Sequence, residues 1–177
     1  MMITNNNNNK FFPWFVGFCD AECSFITNLV PRINKHNIIT SYRVSYRIQM
    51  GLHIKDKVIL EHINLQLGGI GKIYDYPIKQ ESTLCFITFE AIEKVIEDVF
   101  SKYPLLTSYQ ATRYERLRKG VMEKINKVNC IDEFNSILLV PVGGYIETSQ
   151  MNCSQFYLDH WLVGFLSRRR RSVFYSI

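Results

Sequence analysis

The sequence predicts an α+β fold in the order α-β-β-α-β-β-α, built around an antiparallel sheet, and three observations predict it. Between residues 43 and 50, polar and apolar side chains alternate with a period of two, which is typical of a strand with one buried face. Between residues 56 and 67, apolar side chains recur at helical spacing, and Gly68-Gly69 then ends the helix. Segments rich in β-branched and aromatic residues occur as two pairs, which predicts two antiparallel strand pairs.

Local signals set the boundaries of the elements. Pro13 suits the first turn of a helix, where its missing N–H costs nothing, and the polar residues 34–37 form a loop between the first two strands. Residues 91–100 repeat apolar side chains at helical spacing, and residues 109–128 do so with a charged exterior. The predicted elements are a helix from Pro13 to Asp20 or Glu22, strands 24–33 and 39–53, a helix 56–67, strands 70–77 and 83–89, and helices 91–100, 109–128 and 131–137.

Composition indicates a folded chain without a membrane partner. With 177 residues, of which 47% are hydrophobic and 14% aromatic, the chain can bury a core of one-domain size. Its longest apolar runs, such as residues 137–142, are far shorter than the about 20 residues of a membrane span. The N-terminus shows no secretion or import signal. The five cysteines are an odd number, so we expect reduced thiols and no zinc site.

The positive charge is concentrated in two places. Arginines 168–171 account for four of the net +5, so the overall charge is weak evidence of function. From Ser24 to Lys55 there is no Asp or Glu, and this stretch contains five basic residues. One predicted strand pair is therefore cationic. The abundance of residues with AT-rich codons suggests a gene from an AT-rich genome such as that of an organelle.

An internal repeat predicts two tandem copies of one module. The sequence Trp-Phe-Val-Gly-Phe at 14–18 recurs as Trp-Leu-Val-Gly-Phe at 161–165, 147 residues later. The copies then diverge. The predicted organisation is an Asn-rich disordered N-terminus at 1–12, a complete module at 13–136, an irregular linker at 137–157, and a truncated start of a second module with an Arg-rich tail at 158–177.

The stretch from Trp14 to Phe25, Trp-Phe-Val-Gly-Phe-Cys-Asp-Ala-Glu-Cys-Ser-Phe, resembles the signature helix of the LAGLIDADG homing endonucleases and intron maturases. The resemblance implies a saddle-shaped antiparallel sheet and two signature helices that pack side by side, with Gly17, Ala21 and Gly164 at their interface. It also implies catalytic acids at the end of the helix, Glu22 and Asp20. Of these, Glu22 would bind Mg²⁺ with help from the Ala21 carbonyl, while Asp20 is better suited to orient or cap.

The resemblance further implies that outward side chains of the sheet bind nucleic acid in the major groove, which accepts a two-stranded ribbon. The implied binding residues are Ser24, Asn28, Arg32, Arg43, Ser45, Arg47, Gln49, Lys72 and Tyr74, with Tyr76 as a further candidate. From the residues alone, two plainer readings stay open: solvated acids at a helix end, and an ordinary solvated face of a sheet.

Three departures from the family pattern bear on activity. Cys23 stands where the motif ends in glycine, and its side chain is expected to disturb the turn into the strand. The segment 106–110, where members commonly place a basic residue, has none, and Tyr109 cannot replace a cation. Arg168 and Arg169 stand where the second motif should provide its acid, which argues against double-strand cleavage by a monomer.

Three functions are compatible with these residues. The first is a Mg²⁺-dependent, intron-homing DNA endonuclease, which would need a homodimer through the helix from Trp14 to Glu22. The second is a maturase that stabilises intron RNA without cutting it, and the third is an inactive truncated relative. The sequence ranks the endonuclease first but does not separate DNA from RNA as the partner.

Overall fold

A computed structural model of the chain describes residues 10–139 and 154–167. Its elements are α1 (Phe11–Glu22), β1 (Cys23–Ile33), β2 (Ile39–His53), α2 (Lys57–Gln66), β3 (Lys72–Tyr76), β4 (Glu81–Phe86), α3 (Phe89–Val95), α4 (Ser108–Met122), β5 (Lys127–Val128), α5 (Ile131–Ile137) and α6 (Gln155–Leu166). A single π-helical turn, Ile96–Phe100, extends α3. The predicted α-β-β-α-β-β-α order is confirmed. The Asn-rich N-terminus, residues 140–153 of the predicted linker, Cys153 and the Arg-rich tail lie outside the described residues.

The strands form an antiparallel sheet in the order β1-β2-β4-β3, with β5 paired to the far end of β2. β2 is the longest strand, so it organises the sheet: it pairs with β1 along one side and with β4 and β5 along the other. Because side chains alternate along a strand and direct partners share a face, the register assigns every sheet residue to one of two faces.

One face of the sheet packs on the helices. On β2, Val44, Tyr46, Ile48 and Met50 are all buried, whereas the intervening residues are exposed or half-buried, as the alternation predicts. The core is rich in aromatic contacts: the Phe25 ring of β1 meets the Phe100 and Tyr114 rings edge-on. This burial fixes which side chains of β2 point away from the core, and so defines the open face.

The predicted helix 109–128 is too long, because the chain turns back after Met122. Lys124 adopts a left-handed backbone conformation, φ 53°, and the N–H of Ile125 bonds to the carbonyl of Gly120 at 2.9 Å. The chain then returns to the sheet as β5, where Val128 is buried and Lys127 pairs with Arg43. The apolar residues after Met122 keep a helical spacing, but packing of Val128 in the core outweighs this local preference for helix.

The helices α1 and α6 cross at two glycines, each of which meets a tryptophan of the other helix. A Cβ added at Gly17 would lie 1.9 Å from the carbonyl oxygen of Trp161, and a Cβ at Gly164 would lie 1.9 Å from that of Trp14. The contacts are reciprocal, since Trp14 and Gly17 correspond to Trp161 and Gly164 in the internal repeat. The two copies of the repeat therefore pack against each other within one chain.

We expect Gly17→Ala to separate α1 from α6, because backbone atoms, unlike a flexible side chain, cannot move away from the new methyl group. Overpacking of this kind costs typically 1–3 kcal/mol and occasionally more, and a backbone clash places Gly17→Ala at about 3 kcal/mol. The measurement is denaturant unfolding together with hydrogen exchange of residues 154–167. Gly51→Ala is the matched control, because its Cβ meets the flexible Glu81 carboxylate instead. Equal stability of the two variants, with α6 still protected, would contradict the crossing.

Among residues 10–139 and 154–167, no helix combines the length and the apolar character needed to span a bilayer.

Candidate nucleic-acid interface

The open face of the sheet gathers the polar side chains that the sequence analysis singled out. By register, these residues share the face turned away from the helices: Ser24, Asn28, Arg32, Arg43, Ser45, Arg47, Gln49, Lys72, Tyr74 and Tyr76. They come from three strands, β1, β2 and β3. A strand face of this width, about four strands 4.8 Å apart, is broad enough to follow a nucleic-acid groove.

A groove of about 590 Å³ lies in this face, between β1, β2, β5 and the start of α3. Its four cationic lining residues are Arg32, Arg43, Arg47 and Lys127, and no Asp or Glu lines it. Lys127 was not among the predicted binding residues, because residue 127 was assigned to a helix. Its pairing with Arg43 brings a further positive charge to the open face. The groove is therefore suited to an anionic ligand.

The positive charge does not extend over the whole face. At the opposite end of β2, Glu81 of β4 pairs in register with His53 and with Tyr76, and its carboxylate accepts a 3.0 Å hydrogen bond from Thr83. The segment from Ser24 to Lys55 contains no acid, but it forms only the β1–β2 part of the open face. Electrostatic attraction of an anion is concentrated there.

Glu22 is the last residue of α1 and is partly exposed. Two residues later, Ser24 begins the nearest row of open-face side chains, which crosses the four strands as Ser24, Gln49, Cys85 and Lys72. Arg47 reaches toward this row: its Nη1 lies 3.5 Å from Oε1 of Gln49. Burial raises the pKa of the Cys85 thiol, and the charge of Arg47 partly opposes that rise. The fold thus places Glu22 beside the row to which Arg47 reaches.

Asp20 lies in the protein interior, 5% exposed, and its carboxylate accepts four hydrogen bonds. The donors are the Leu106 N–H at 2.7 Å, the Thr107 N–H at 3.3 Å, the Thr107 hydroxyl at 2.7 Å and the Trp161 indole N–H at 2.8 Å. Burial raises the pKa of Asp20, and these bonds oppose the rise. Asp20 thus joins α1 to the start of α4 and to α6. The burial of Asp20 and its four hydrogen bonds favour the expected orienting or capping role, and a catalytic role for Asp20 stays a prediction.

Cys23 does not disturb the turn into β1. Its backbone is ordinary extended chain, φ −77° and ψ 150°, so no glycine is required there. Its side chain is buried with Sγ 2.9 Å from Sγ of Cys19, and its carbonyl accepts a 2.7 Å hydrogen bond from Nε2 of Gln110. Gln110 of α4 therefore fixes the residue that follows Glu22. No sequence pattern predicts this contact, because the two residues are 87 positions apart.

A metal ion at this site would have few ligands from the described residues, in which no cluster of three or more His, Cys, Asp or Glu could hold one. Glu22 supplies one carboxylate and Ala21 a neighbouring carbonyl. Mg²⁺ fits such a set, because it commonly takes one or two carboxylates and completes its shell with water and substrate phosphate. The position of the acid in the second motif, at 168–169, lies outside the described residues.

The fold and the site together define a sheet module with a signature helix, α1, which packs at glycines against α6, the second copy of the repeat in the same chain. The sequence profile described as LAGLIDADG endonuclease matches residues 15–120, more than half of the chain. The chain belongs to the LAGLIDADG endonuclease family.

Individual relatives agree with this family membership. The chain is 27% identical over 183 residues to "Probable intron-encoded endonuclease 3" of Neurospora crassa, covering 93% of this chain and 33% of that protein. It is 30% identical over 184 residues to "Uncharacterized mitochondrial protein RF1" of Saccharomyces cerevisiae, covering 92% of this chain and 34% of that protein. The chain therefore spans about a third of the length of these curated relatives.

Solved structures show the same fold. The meganuclease I-CpaMI bound to uncleaved DNA superposes with a TM-score of 0.64 at 22% identity, covering 88% of this chain and 57% of that one. The homing endonuclease I-SmaMI bound to cleaved DNA gives 0.64 at 24% identity, covering 92% and 58%. These similarities establish the LAGLIDADG fold for the chain.

Proposed function

We propose that this chain is a DNA-binding module of an intron-homing endonuclease, which binds duplex DNA on the open face of its sheet and hydrolyses a phosphodiester bond near Glu22. The observation that carries the proposal is the shared open face. The register gathers ten predicted polar side chains there and adds Lys127, and the face begins two residues after Glu22. The solved relatives I-CpaMI and I-SmaMI, described as bound to DNA, support DNA as the partner.

In this proposal the β1–β2 ribbon enters the major groove. Arg43 and Arg47 are suited to guanine, and Gln49 to adenine, because their side chains match the paired acceptors or the donor and acceptor of those bases. Arg32 and Lys127 line the groove in the protein's open face, at its end farther from Glu22, and they attract the phosphate backbone. Affinity is then expected to depend strongly on salt.

The metal would be held by Glu22, with the Ala21 carbonyl beside it, and we propose Mg²⁺. Bound there, a divalent cation would activate water and stabilise charge on the phosphate. The chain itself orients the carboxylate: Asp20 ties the end of α1 to α4, and Gln110 holds the carbonyl of Cys23. Because these residues supply a single metal-binding acid, we expect one strand of the duplex to be cut, leaving a nick.

The signature helices are proposed to pair within one chain. A homodimer through α1 would have to displace α6, because α6 already covers Gly17. The intron-encoded and mitochondrial relatives support a mitochondrial location.

The alternative function is that of a maturase, which would bind intron RNA. Intron RNA therefore serves as the competing ligand in the test.

The test uses the purified chain, Mg²⁺ and a duplex carrying the uninterrupted intron insertion site, with the intron RNA as competitor. We expect DNA binding that weakens linearly in log salt, and a nick that requires the divalent ion. Preferential binding of the intron RNA, with no nick at any metal concentration, would replace the proposal with the maturase function.

Arg47→Ala tests the open face directly. Loss of a bidentate base contact costs about 1–3 kcal/mol, so we expect DNA affinity to fall about 5- to 150-fold, with relaxed preference at one base pair. The measurement is fluorescence anisotropy on the insertion-site duplex and on single-base variants of it. Lys94→Ala is the control, since Lys94 carries the same charge on α3 and is paired with Asp98 at 2.7 Å. Equal affinities for the two variants would exclude Arg47 from the interface.

A further inference from the structure

A second, smaller cavity borders the open face at the edge of the sheet and shares Asn28 with it. β1 is the terminal strand of the sheet in the described part of the chain, and α4 packs beside it. Between them is a notch of about 210 Å³, lined by Phe25, Ile26, Thr27, Asn28, Arg113 and Arg116. We call this the edge notch. None of its six lining residues is acidic.

Two hydrogen-bonding atoms of the edge notch lack partners. Oγ1 of Thr27 and Nε of Arg116 are both buried and form no hydrogen bond with any described residue. Leaving a buried donor unpaired costs about 1–3 kcal/mol, so atoms of this kind are unusual in a folded protein without a ligand. Both atoms belong to side chains that line the notch, and each can donate one hydrogen bond.

The two arginines of the notch are held in place by aromatic rings and not by acids. The guanidinium of Arg113 lies 5.3 Å from the centre of the Tyr109 ring and donates to its hydroxyl at 3.1 Å. The guanidinium of Arg116 lies 4.8 Å from the centre of the Phe134 ring, and its Nη2 donates to Asn135 at 3.3 Å. Within residues 10–139 and 154–167, neither arginine forms a salt bridge. Their two positive charges are therefore not neutralised by a carboxylate.

These features call for the same kind of ligand. An anion would neutralise the two charges, and a ligand with several acceptor oxygens would satisfy both unpaired donors at once. A phosphate group has both properties. A carboxylate could also pair with both donors, but it would have fewer oxygens left for the two guanidinium groups, and an apolar ligand would leave every donor unpaired.

We propose that the edge notch binds a phosphate group, and that on DNA this is a backbone phosphate held beside β1. The assignment to DNA rests on the proposed function, whereas phosphate binding itself does not. Thr27 lies five residues after Glu22, roughly 17 Å along an extended strand. A phosphate held there would fix the register of the duplex at a distance from the bond that is cut, without reading its sequence.

The first experiment titrates inorganic phosphate into the folded chain and follows the Nε–H signals of the arginines by NMR. We expect saturable shifts at Arg113 and Arg116 but not at Arg118, which is on the same helix and pairs with Glu115 at 2.8 Å. Thr27→Val, which keeps the shape of the side chain, is expected to weaken phosphate binding about three- to tenfold by removing one hydrogen bond. Equal, unsaturable shifts at all three arginines would overturn the site.

The second experiment measures binding to a DNA duplex as a function of salt. We expect Arg113→Ala to lower affinity at every sequence tested and to reduce the salt slope by about one, because one phosphate contact is lost. Arg118→Ala removes the same charge outside the notch and is expected to leave the slope unchanged. Wild-type DNA affinity and slope in Arg113→Ala would overturn the DNA assignment while the proposed function stands. Saturable phosphate shifts in a chain that binds no DNA would support the notch and contradict the proposed function.

Discussion

Glu22→Gln is expected to abolish the proposed Mg²⁺-dependent nicking while leaving the proposed DNA binding intact. The amide keeps the size of the side chain but loses the charge that holds a divalent cation. A bound cation stabilises the transition state by several kcal/mol. A loss of this size lowers the cleavage rate by about a thousandfold or more. The measurement is single-turnover cleavage of the insertion-site duplex, with DNA affinity determined separately in Ca²⁺.

The cleavage result also needs a control for the loss of charge. Glu22 ends α1, where negative charge opposes the helix dipole, so the unfolding temperature of Glu22→Gln is measured beside its cleavage rate. Glu97→Gln, an exposed acid in the π-helical turn after α3, is the matched control for loss of one negative charge. Cleavage by Glu22→Gln at the rate of Glu97→Gln would show that another group binds the metal.

Asp20→Ala is expected to destabilise the fold strongly, because it leaves the donors of Leu106, Thr107 and Trp161 without an acceptor inside the protein. With about 1–3 kcal/mol for each buried group left unpaired, we expect a loss of about 3–5 kcal/mol in the free energy of unfolding. Trp161→Phe removes only the link to α6 and should cost about 1 kcal/mol. Similar losses in the two variants would mean that Asp20 serves α6 alone.

The pH dependence of stability offers a second test of Asp20. Because burial raises its pKa above the ordinary 3.8, the folded protein binds this proton more tightly than the unfolded chain does. Its contribution is therefore full below pH 3.8 and is lost as the pH rises through the folded-state pKa. Asp20→Asn should remove this part of the pH dependence, as measured by denaturant unfolding at a series of pH values. An unchanged profile would show that Asp20 has the same pKa folded and unfolded.

Local sequence patterns were sufficient to predict most elements of the fold. The alternation along residues 43–50 set the register of β2, and with it the open face, because a shift of one residue would have buried Arg43 and Arg47. The glycine pair after α2 and the apolar spacing of α3 placed those helices correctly. The resemblance to the LAGLIDADG signature helix implied that two helices would meet at Gly17 and Gly164, and α1 and α6 do cross at these two glycines.

Contacts between distant residues could not be read from the sequence. Nothing near Asp20 indicates that its acceptors meet donors 86 and 141 positions away, or that Gln110 reaches the carbonyl of Cys23. Lys127 was missed because helical spacing continues past the point where Lys124 reverses the chain. The edge notch also depends on the packing of α4 against β1, which brings together residues about 87 positions apart.

The pairing of α1 with α6 inside one polypeptide has a consequence for the DNA sequence that the protein would recognise. Two identical subunits present identical surfaces and so favour palindromic sites. Here the two helices differ in composition, and Ser167 occupies in one repeat the position that Asp20 occupies in the other. On the proposed function, a duplex centred on this crossing would meet an unequal pair of helices, so its two half-sites would be free to differ.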